Sequence, residues 1–147
     1  MAGDPRVGSR ADRCGNRWQD RGVDHVRIWA DAEGESHLQR VATARQTMPA
    51  EPGVAELHVS DPHPVDRLQF VTVQAHDQHP EWHCAPRRQF VVFLDGWVHL
   101  TASDGDSCRL PTGAVVLVED LHGKGHVTEH QPGVRHVLVI PLDPSER

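Results

Sequence analysis

The chain has 147 residues, of which 37% are hydrophobic and 24% charged, and its formal net charge is −6. This length suits one domain with a single core and leaves no room for a second. No basic stripe is present, which argues against nucleic acid as a partner, and no run of 18 apolar residues could form a membrane span. The N-terminus has no apolar signal-peptide core, so cytoplasmic residence is predicted, with Cys14, Cys84 and Cys108 as reduced thiols.

The start of the chain differs in composition from the rest. Residues 1–24 are rich in Gly, Arg and Asp and carry few bulky apolar side chains. Such a segment buries too little surface to offset the entropy lost on folding. We therefore expect a mobile N-terminal arm over residues 1–24, followed by a single domain over residues 25–147.

Short strands separated by turns are predicted along the whole domain. Residues 25–30 alternate as a strand, 31–37 are a turn, 38–44 are a second strand, and the proline-rich segment 46–65 is expected to be a loop. Later strands are predicted from four apolar runs, Phe70–Val73, Phe90–Leu94, Val115–Val118 and Val137–Ile140. No stretch has sustained helical periodicity. The pattern is typical of an all-β sandwich or barrel.

The most informative spacing lies between residues 83 and 96. His83 is followed six residues later by Gln89, and Gly96 comes seven residues after that. This segment resembles the first motif of the cupin superfamily, His-x-His-x(3–4)-Glu-x(6)-Gly. Ala85 stands at the position of the second His, and Gln89 at the position of the Glu.

The segment that begins at Gly113 resembles the second cupin motif, Gly-x5-Pro-x-Gly-x2-His-x3-Asn. Glu119 stands at the Pro position, and the following loop is two residues longer. His126 then takes the position of the motif His, and His130 that of the Asn. The resemblance covers about residues 66–142. It implies a small single-domain cupin, which is a double-stranded β-helix, or jelly-roll, barrel of two antiparallel sheets.

The resemblance also implies a site inside the barrel. A typical cupin offers three His and one Glu, a set that suits a divalent transition metal. Here the corresponding positions hold His83, Gln89 and His126, which are two imidazoles and a neutral amide. We therefore expect no metal cofactor. The alternative is iron, nickel, manganese or zinc held by these same three residues.

Strand alternation and loop position add candidates for substrate contact. Thr128 and His130 share the parity of His126, and Phe93 shares that of Gln89. Adjacent carboxylates in a strand point to opposite faces, so at most one acid of the pair at 119 and 120 is expected to face the pocket, where it could orient a histidine. Either arginine of the pair at 87 and 88 could clamp a carboxylate. The residues expected to bind substrate are Trp82, Arg87, Arg88, Phe93, Glu119, Asp120, Lys124 (in a flexible Gly-Lys-Gly turn) and His130.

This set of side chains favours an enzyme that performs acid–base chemistry on an organic acid or a polyketide-like carbonyl compound, as an isomerase, cyclase, dehydratase or lyase. His83 or His126 would act as general acid or base, and Gln89 with an arginine would stabilise a developing oxyanion. Two alternatives stay open: a metal-dependent cupin oxygenase with an unusual two-His site, and a non-catalytic cupin that binds a metabolite. Because several strands are apolar on both faces and an exposed edge invites pairing, a homodimer is also expected.

Overall fold

The computed structural model describes residues 24–145. The prediction of a mobile arm falls on residues 1–24 and so lies, except for Asp24, outside the described residues. Residues 24–145 form strands and no helix, so the all-β fold class is confirmed, and no helix among them is long and apolar enough to cross a membrane. The strands are β1 His25–Ala30, β2 Ser36–Val41, β3 Gln46–Met48, β4 Leu57–Val59, β5 Gln69–Ala75, β6 Gln89–Phe93, β7 Val98–Ala102, β8 Ser107–Leu110, β9 Val115–Val118, β10 His126–His130 and β11 Gly133–Pro141.

Two larger sheets make up the domain. One has six strands in the order β2-β1-β9-β6-β11-β5, and the other has three in the order β10-β7-β8. The pairing is antiparallel throughout except between β1 and β9, which run parallel with Val26 opposite Val116. These two strands are far apart in the chain, so no hairpin forces them to run in opposite directions. In the proline-rich segment, where only a loop was expected, β3 and β4 form a small antiparallel pair.

The core lies between the two larger sheets. Strand alternation places apolar side chains on their inner faces, among them Val26 and Ile28 from the six-stranded sheet and Val98 and Leu100 from the other, and all four are at most 3% exposed. Burial of apolar surface on this scale is the main term that favours folding. The outer face of the six-stranded sheet is also apolar in part, since Phe90 packs against the rings of neighbouring histidines.

The loop that joins β9 to β10 is held against the turn between β1 and β2. Gly34 and Gly123 cross so closely that a Cβ on Gly123 would lie 2.3 Å from the carbonyl oxygen of Gly34. The Lys124 amide donates to that same oxygen at 2.8 Å, and Ser36 Oγ donates to the carbonyl of Gly125 at 2.7 Å. The Gly-Lys-Gly turn that was expected to be flexible is therefore anchored at each residue, and it fixes the start of β10.

The expectation of reduced thiols needs one correction. Cys84 is a free thiol, half-buried, and its Sγ donates to the carbonyl of Gly123 at 3.4 Å. Cys108, which is fully buried on β8, is disulfide-bonded. The expectation was therefore wrong for Cys108, because spacing alone cannot reveal which cysteines tertiary structure brings together.

Candidate functional site

A cavity of about 350 Å³ lies between the two sheets, a size within the range of small-molecule sites. Its wall on the six-stranded sheet is apolar and is built largely of valines from four strands. Its polar groups lie on β10 and around the ends of β6 and β10. The lining residues include Val71, Val73, Val91, Phe93, Val116, Val118, Val137 and Val139 on the apolar wall, and His83, Gln89, His126, Thr128 and His130 among the polar groups.

His83 and His126 are directly paired. The His83 amide donates to the His126 carbonyl at 3.0 Å, and the His126 amide donates back to the His83 carbonyl at 2.9 Å. As a result the two imidazole rings also lie close together, with their centroids 4.5 Å apart. Gly125 permits this approach, because a Cβ there would lie 2.3 Å from the His83 carbonyl oxygen and the residue has a φ of 73°. His126 is buried and His83 is exposed, so His83 lies at the mouth of the cavity and His126 deeper.

A buried carboxylate orients His126. Asp120 Oδ2 lies 2.6 Å from His126 Nδ1, and the Asp120 side chain is 0% exposed. An ionised carboxylate can only accept hydrogen bonds, so Nδ1 of His126 is the donor and its Nε2 carries the lone pair. Asp120 Oδ1 is buried and has no hydrogen-bond partner among the described residues. A buried charge left without full pairing is costly, and a positive charge on His126 would compensate it.

His83 has the same tautomer for a different reason. Its Nδ1 lies 2.9 Å from the backbone carbonyl oxygen of Glu81, and a carbonyl can only accept. Nδ1 is therefore the donor and Nε2 again carries the lone pair. The cavity thus receives two imidazoles that can each accept a proton or bind an electrophile.

Glu119 and Asp120 point to opposite faces of the sheet, as alternation requires. Glu119 faces outward, where it accepts hydrogen bonds from Arg27 and from Arg88 Nε (2.9 Å) and Nη2 (2.6 Å). Burial alone would raise the pKa of Glu119, but the two guanidinium groups outweigh it and the pKa falls below its usual value. Arg88 is thereby turned away from the cavity. With Trp29, these residues line a second, more open pocket on the outer face.

The other predicted site residues divide between the cavity and the surface. Phe93 and His130 line the cavity. Trp82 and Arg87 are exposed and do not line it, and Lys124 is exposed and paired with Glu35. The structure therefore brings His83, Gln89, His126, Phe93 and His130 together and leaves Trp82, Arg87, Arg88, Glu119 and Lys124 outside, with Asp120 behind His126.

Sequence reasoning missed part of the cavity wall. Val116 and Val118 line the cavity, and Asp120 continues the same alternation to His126. The signal was present in the sequence, because residues 116, 118 and 120 share one parity. The bond that orients His83 comes from the backbone of Glu81, for which no side-chain signal exists.

Burial also affects His130. Desolvation, together with the positive charge of Arg135, lowers the pKa of His130 below its ordinary value. The ring packs edge-on to Phe93, with centroids 6.1 Å apart. Its backbone is clamped by the Gln78 side chain, which accepts from the His130 amide at 3.1 Å and donates to its carbonyl. His130 is therefore held within the cavity, where burial disfavours its charged form.

The donor set does not match a three-ligand metal centre. Within residues 24–145, no cluster of three or more His, Cys, Asp and Glu side chains is arranged to hold a metal ion. Close to Gln89 the cavity offers the imidazoles of His83 and His126 and the neutral amide oxygen of Gln89, with His130 four residues further along β10, and its lining contains no carboxylate. The anionic ligand of the family motif is absent from this position, and nothing in the lining replaces it.

Comparison with known proteins gives one weak structural likeness. No family model and no curated protein matches the chain. Among solved structures, the chain is similar to one described as "Crystal Structure of FeII HppE in Complex with Substrate form 1", with 18% identity and a TM-score of 0.39 over 51% of this chain. The match spans 44% of the length of that protein. A likeness at this level carries no argument about activity, substrate or cofactor.

Proposed function

We propose that the chain is an enzyme that moves a proton on a small organic substrate bound in the cavity. Its reaction would be that of an isomerase, cyclase, dehydratase or lyase acting on an organic acid or a polyketide-like carbonyl compound. The observation that carries this proposal is the buried Asp120–His126 pair, whose orientation directs the Nε2 lone pair of His126 to the cavity.

In this proposal His126 is the general base. Nε2 takes a proton from a carbon or hydroxyl group of the substrate, and the imidazolium that forms is stabilised by the buried carboxylate of Asp120. The proton then returns from Nε2 of His126 to another atom of the substrate, so that the enzyme ends in its starting state. Asp120 does not touch the substrate and is a positioning residue.

Gln89 is the proposed oxyanion donor. Its side-chain amide makes no hydrogen bond within the described part of the chain, although it lines the cavity. An amide N–H that is already in place stabilises negative charge as it develops on a substrate carbonyl oxygen. The neighbouring valines of the same sheet make the surroundings apolar, which strengthens this interaction.

Proton transfer can be tested before the substrate is known. Incubation of the protein with a panel of 2-oxo and 3-oxo acids in D2O, followed by proton NMR, would reveal exchange of acidic C–H groups. We expect exchange with wild type and a loss on the order of 10²–10⁴ in rate for His126→Asn. His99→Asn is the control, since His99 does not line the cavity. Equal exchange by wild type and His126→Asn would overturn the proposal.

A metal-dependent oxygenase remains the second candidate, and one observation favours it. Metal-binding histidines usually donate their second ring nitrogen to a carboxylate or a backbone carbonyl, which is what His126 and His83 do. The neutral side chain of Gln89 argues against this function, because it supplies no anionic ligand. The third reading, a non-catalytic cupin that binds a metabolite, would use the same cavity and is supported if ligands bind without turnover.

The homodimer expected from the sequence is also a proposal. Among the described residues, β5 lies at the edge of the six-stranded sheet, and Phe70 on its outer face is 82% exposed. An unpaired edge beside a large exposed aromatic ring suits pairing with a second copy. Cytoplasmic residence likewise stays a prediction.

A further inference from the structure

We propose that the substrate carries a neutral hydroxyl group remote from its reacting group, and that His130 binds this hydroxyl. The inference rests on the proposed function in placing the reacting group near His126. It adds a feature of the substrate that the proton-transfer groups do not define, and it makes His130 a residue that determines specificity.

His130 lines the cavity at a distance from the proposed base. On β10 it follows His126 by four residues, which is about 13 Å along an extended strand. On β6, Phe93 follows Gln89 by the same number of residues. The rings of His130 and Phe93 pack edge-on, and both residues line the cavity. The two strands therefore present a second polar position, beside an aromatic ring, well away from His126.

The fold holds the His130 ring toward the cavity. Strand alternation puts His126, Thr128 and His130 on one face of β10, and all three line the cavity. Glu129, which lies between the last two, is exposed. The side chain of Gln78 fixes the backbone of His130, because it accepts from the amide at 3.1 Å and donates to the carbonyl at 2.5 Å. The ring is thus in position before a ligand binds.

The ring nitrogens of His130 have no partner in the described part of the chain. Each of the other two cavity imidazoles has one nitrogen bound, His126 to Asp120 and His83 to a backbone carbonyl. The hydrogen bonds of His130 involve only its backbone. Polar groups that are removed from bulk water normally have a partner. A polar group of the ligand would supply the missing one.

The chemistry of the His130 ring selects a hydroxyl as that group. Burial is the main cause that lowers the pKa of His130, so the neutral ring is favoured. A neutral imidazole has one N–H donor and one lone pair that accepts. A hydroxyl both donates and accepts, so it complements whichever nitrogen it meets. A carboxylate can only accept, and its burial beside an uncharged ring is costly.

The cavity wall defines the rest of the molecule. On the six-stranded sheet the lining is almost entirely valine, which suits an apolar body lying between His126 and His130. The substrate is therefore a hydroxylated carbonyl compound, with its reacting group near His126 and an alcohol or phenol hydroxyl at His130.

Two ketones that differ only in a hydroxyl group test the inference by isothermal titration calorimetry. They are 4-(4-hydroxyphenyl)butan-2-one and 4-phenylbutan-2-one. We expect wild type to bind the hydroxylated ketone about 3- to 10-fold more tightly, as for one hydrogen bond. His130→Phe should bind both ketones equally, and His130→Asn, which keeps a donor and an acceptor, should retain part of the preference. His99→Phe is the matched control and should keep the full preference, because His99 does not line the cavity.

Nitrogen-15 NMR of wild type keeps the test valid if His130→Phe folds poorly. The hydroxylated ketone should shift a ring-nitrogen signal of His130, and 4-phenylbutan-2-one at equal occupancy should not. A third probe, 4-(3-oxobutyl)benzoate, has a carboxylate in place of the hydroxyl and should bind more weakly than the hydroxylated ketone.

Several results would overturn the inference. These are no binding of either ketone to wild type, equal affinity of wild type for both, and an unchanged preference in His130→Phe. A preference that is lost in Thr128→Val and kept in His130→Phe would assign the hydroxyl to Thr128 instead. Tighter binding of the carboxylate probe would overturn the choice of a hydroxyl. Turnover plays no part in these measurements, so a failed proton-exchange experiment leaves their result intact.

Discussion

Asp120 Oδ2 accepts a hydrogen bond from His126 Nδ1 at 2.6 Å, and both side chains are almost completely buried. This hydrogen bond sets the tautomer of His126. The effect of replacing Asp120 can therefore be measured without a substrate. In Asp120→Asn the amide can donate to Nδ1, and we expect His126 to move its proton to Nε2. Nitrogen-15 NMR of the imidazole would detect the change, and any proton-transfer activity should fall on the order of 10²–10⁴.

The matched control for this change is Asp95→Asn. Asp95 accepts a hydrogen bond from His136 Nδ1, and neither residue lines the cavity. Asp95→Asn should alter the imidazole NMR spectrum of His136 and leave that of His126 unchanged. An unchanged tautomer of His126 in Asp120→Asn would contradict the positioning role of Asp120.

Gln89→Glu places a carboxylate beside the imidazoles of His83 and His126. We expect stronger binding of Ni²⁺ or Fe²⁺ than in wild type, because a carboxylate completes a set that divalent transition metals accept. The same change should weaken a metal-free reaction, since a carboxylate repels the oxyanion that the amide stabilises. Calorimetric titration of each metal measures the difference.

Gln74→Glu on the outward side of β5 is the control for added charge. If wild type binds a metal tightly at one equivalent and its activity depends on that metal, the oxygenase alternative replaces the metal-free proposal.

Gly125→Ala tests the close approach of the two histidine segments. The added Cβ would lie 2.3 Å from the His83 carbonyl oxygen, at a residue with a φ of 73°. We expect the free energy of unfolding, measured in urea, to fall by about 3 kcal/mol or more. Gly105→Ala has a similar φ of 89° but open space around it, so it should cost only about 1–2 kcal/mol. Equal losses of unfolding free energy in Gly125→Ala and Gly105→Ala would mean that the close contact with His83 does not contribute to the effect.

His37 is expected to make stability depend on pH. Its ring bridges Asp31 at 2.7 Å and Asp104 at 2.9 Å, and the bond to Asp31 is the larger of the effects that raise the pKa of His37. Because the folded pKa lies above the unfolded value of about 6.5, this stabilisation is fully present below that value. It is lost as the pH rises through the folded pKa.

Unfolding of His37→Gln at several pH values checks this sign. The difference in stability between wild type and His37→Gln should be larger at acidic than at alkaline pH. His99→Gln is the control, because the His99 ring forms no ion pair with a carboxylate among residues 24–145. A larger difference at alkaline pH would contradict the assignment.

Phe70→Ser tests the proposed homodimer. The ring is 82% exposed on the outer face of β5, and its removal should weaken association through that surface. Light scattering should then report a lower mass for Phe70→Ser than for wild type. Val54→Ser, at a residue that is 52% exposed and lies outside β5, should leave the mass unchanged. A wild-type mass of 16.4 kDa at micromolar concentration would contradict the dimer.

Local patterns in the sequence were sufficient for the strands and for part of the site. Alternation and turn residues predict β1, β6 and β9 nearly as they are, because these signals act over a few residues. The same alternation predicts that only one of Glu119 and Asp120 faces inward. The motif spacing predicts that His83, Gln89 and His126 belong to one site. All three line the same cavity in the structure.

The sequence by itself therefore determined the all-β class, most strand positions, and which residues of a strand share the same face. Only the tertiary structure decided that Asp120 is the inward acid and that Glu119, which also pairs with Arg27, holds Arg88 away from the cavity. These outcomes depend on contacts between residues far apart in the chain, such as Arg27 with Glu119, 92 positions away. Periodicity is a property of a few neighbouring residues, so it assigns a side chain to one of two faces, but only the packing of the sheets determines which face is the inside.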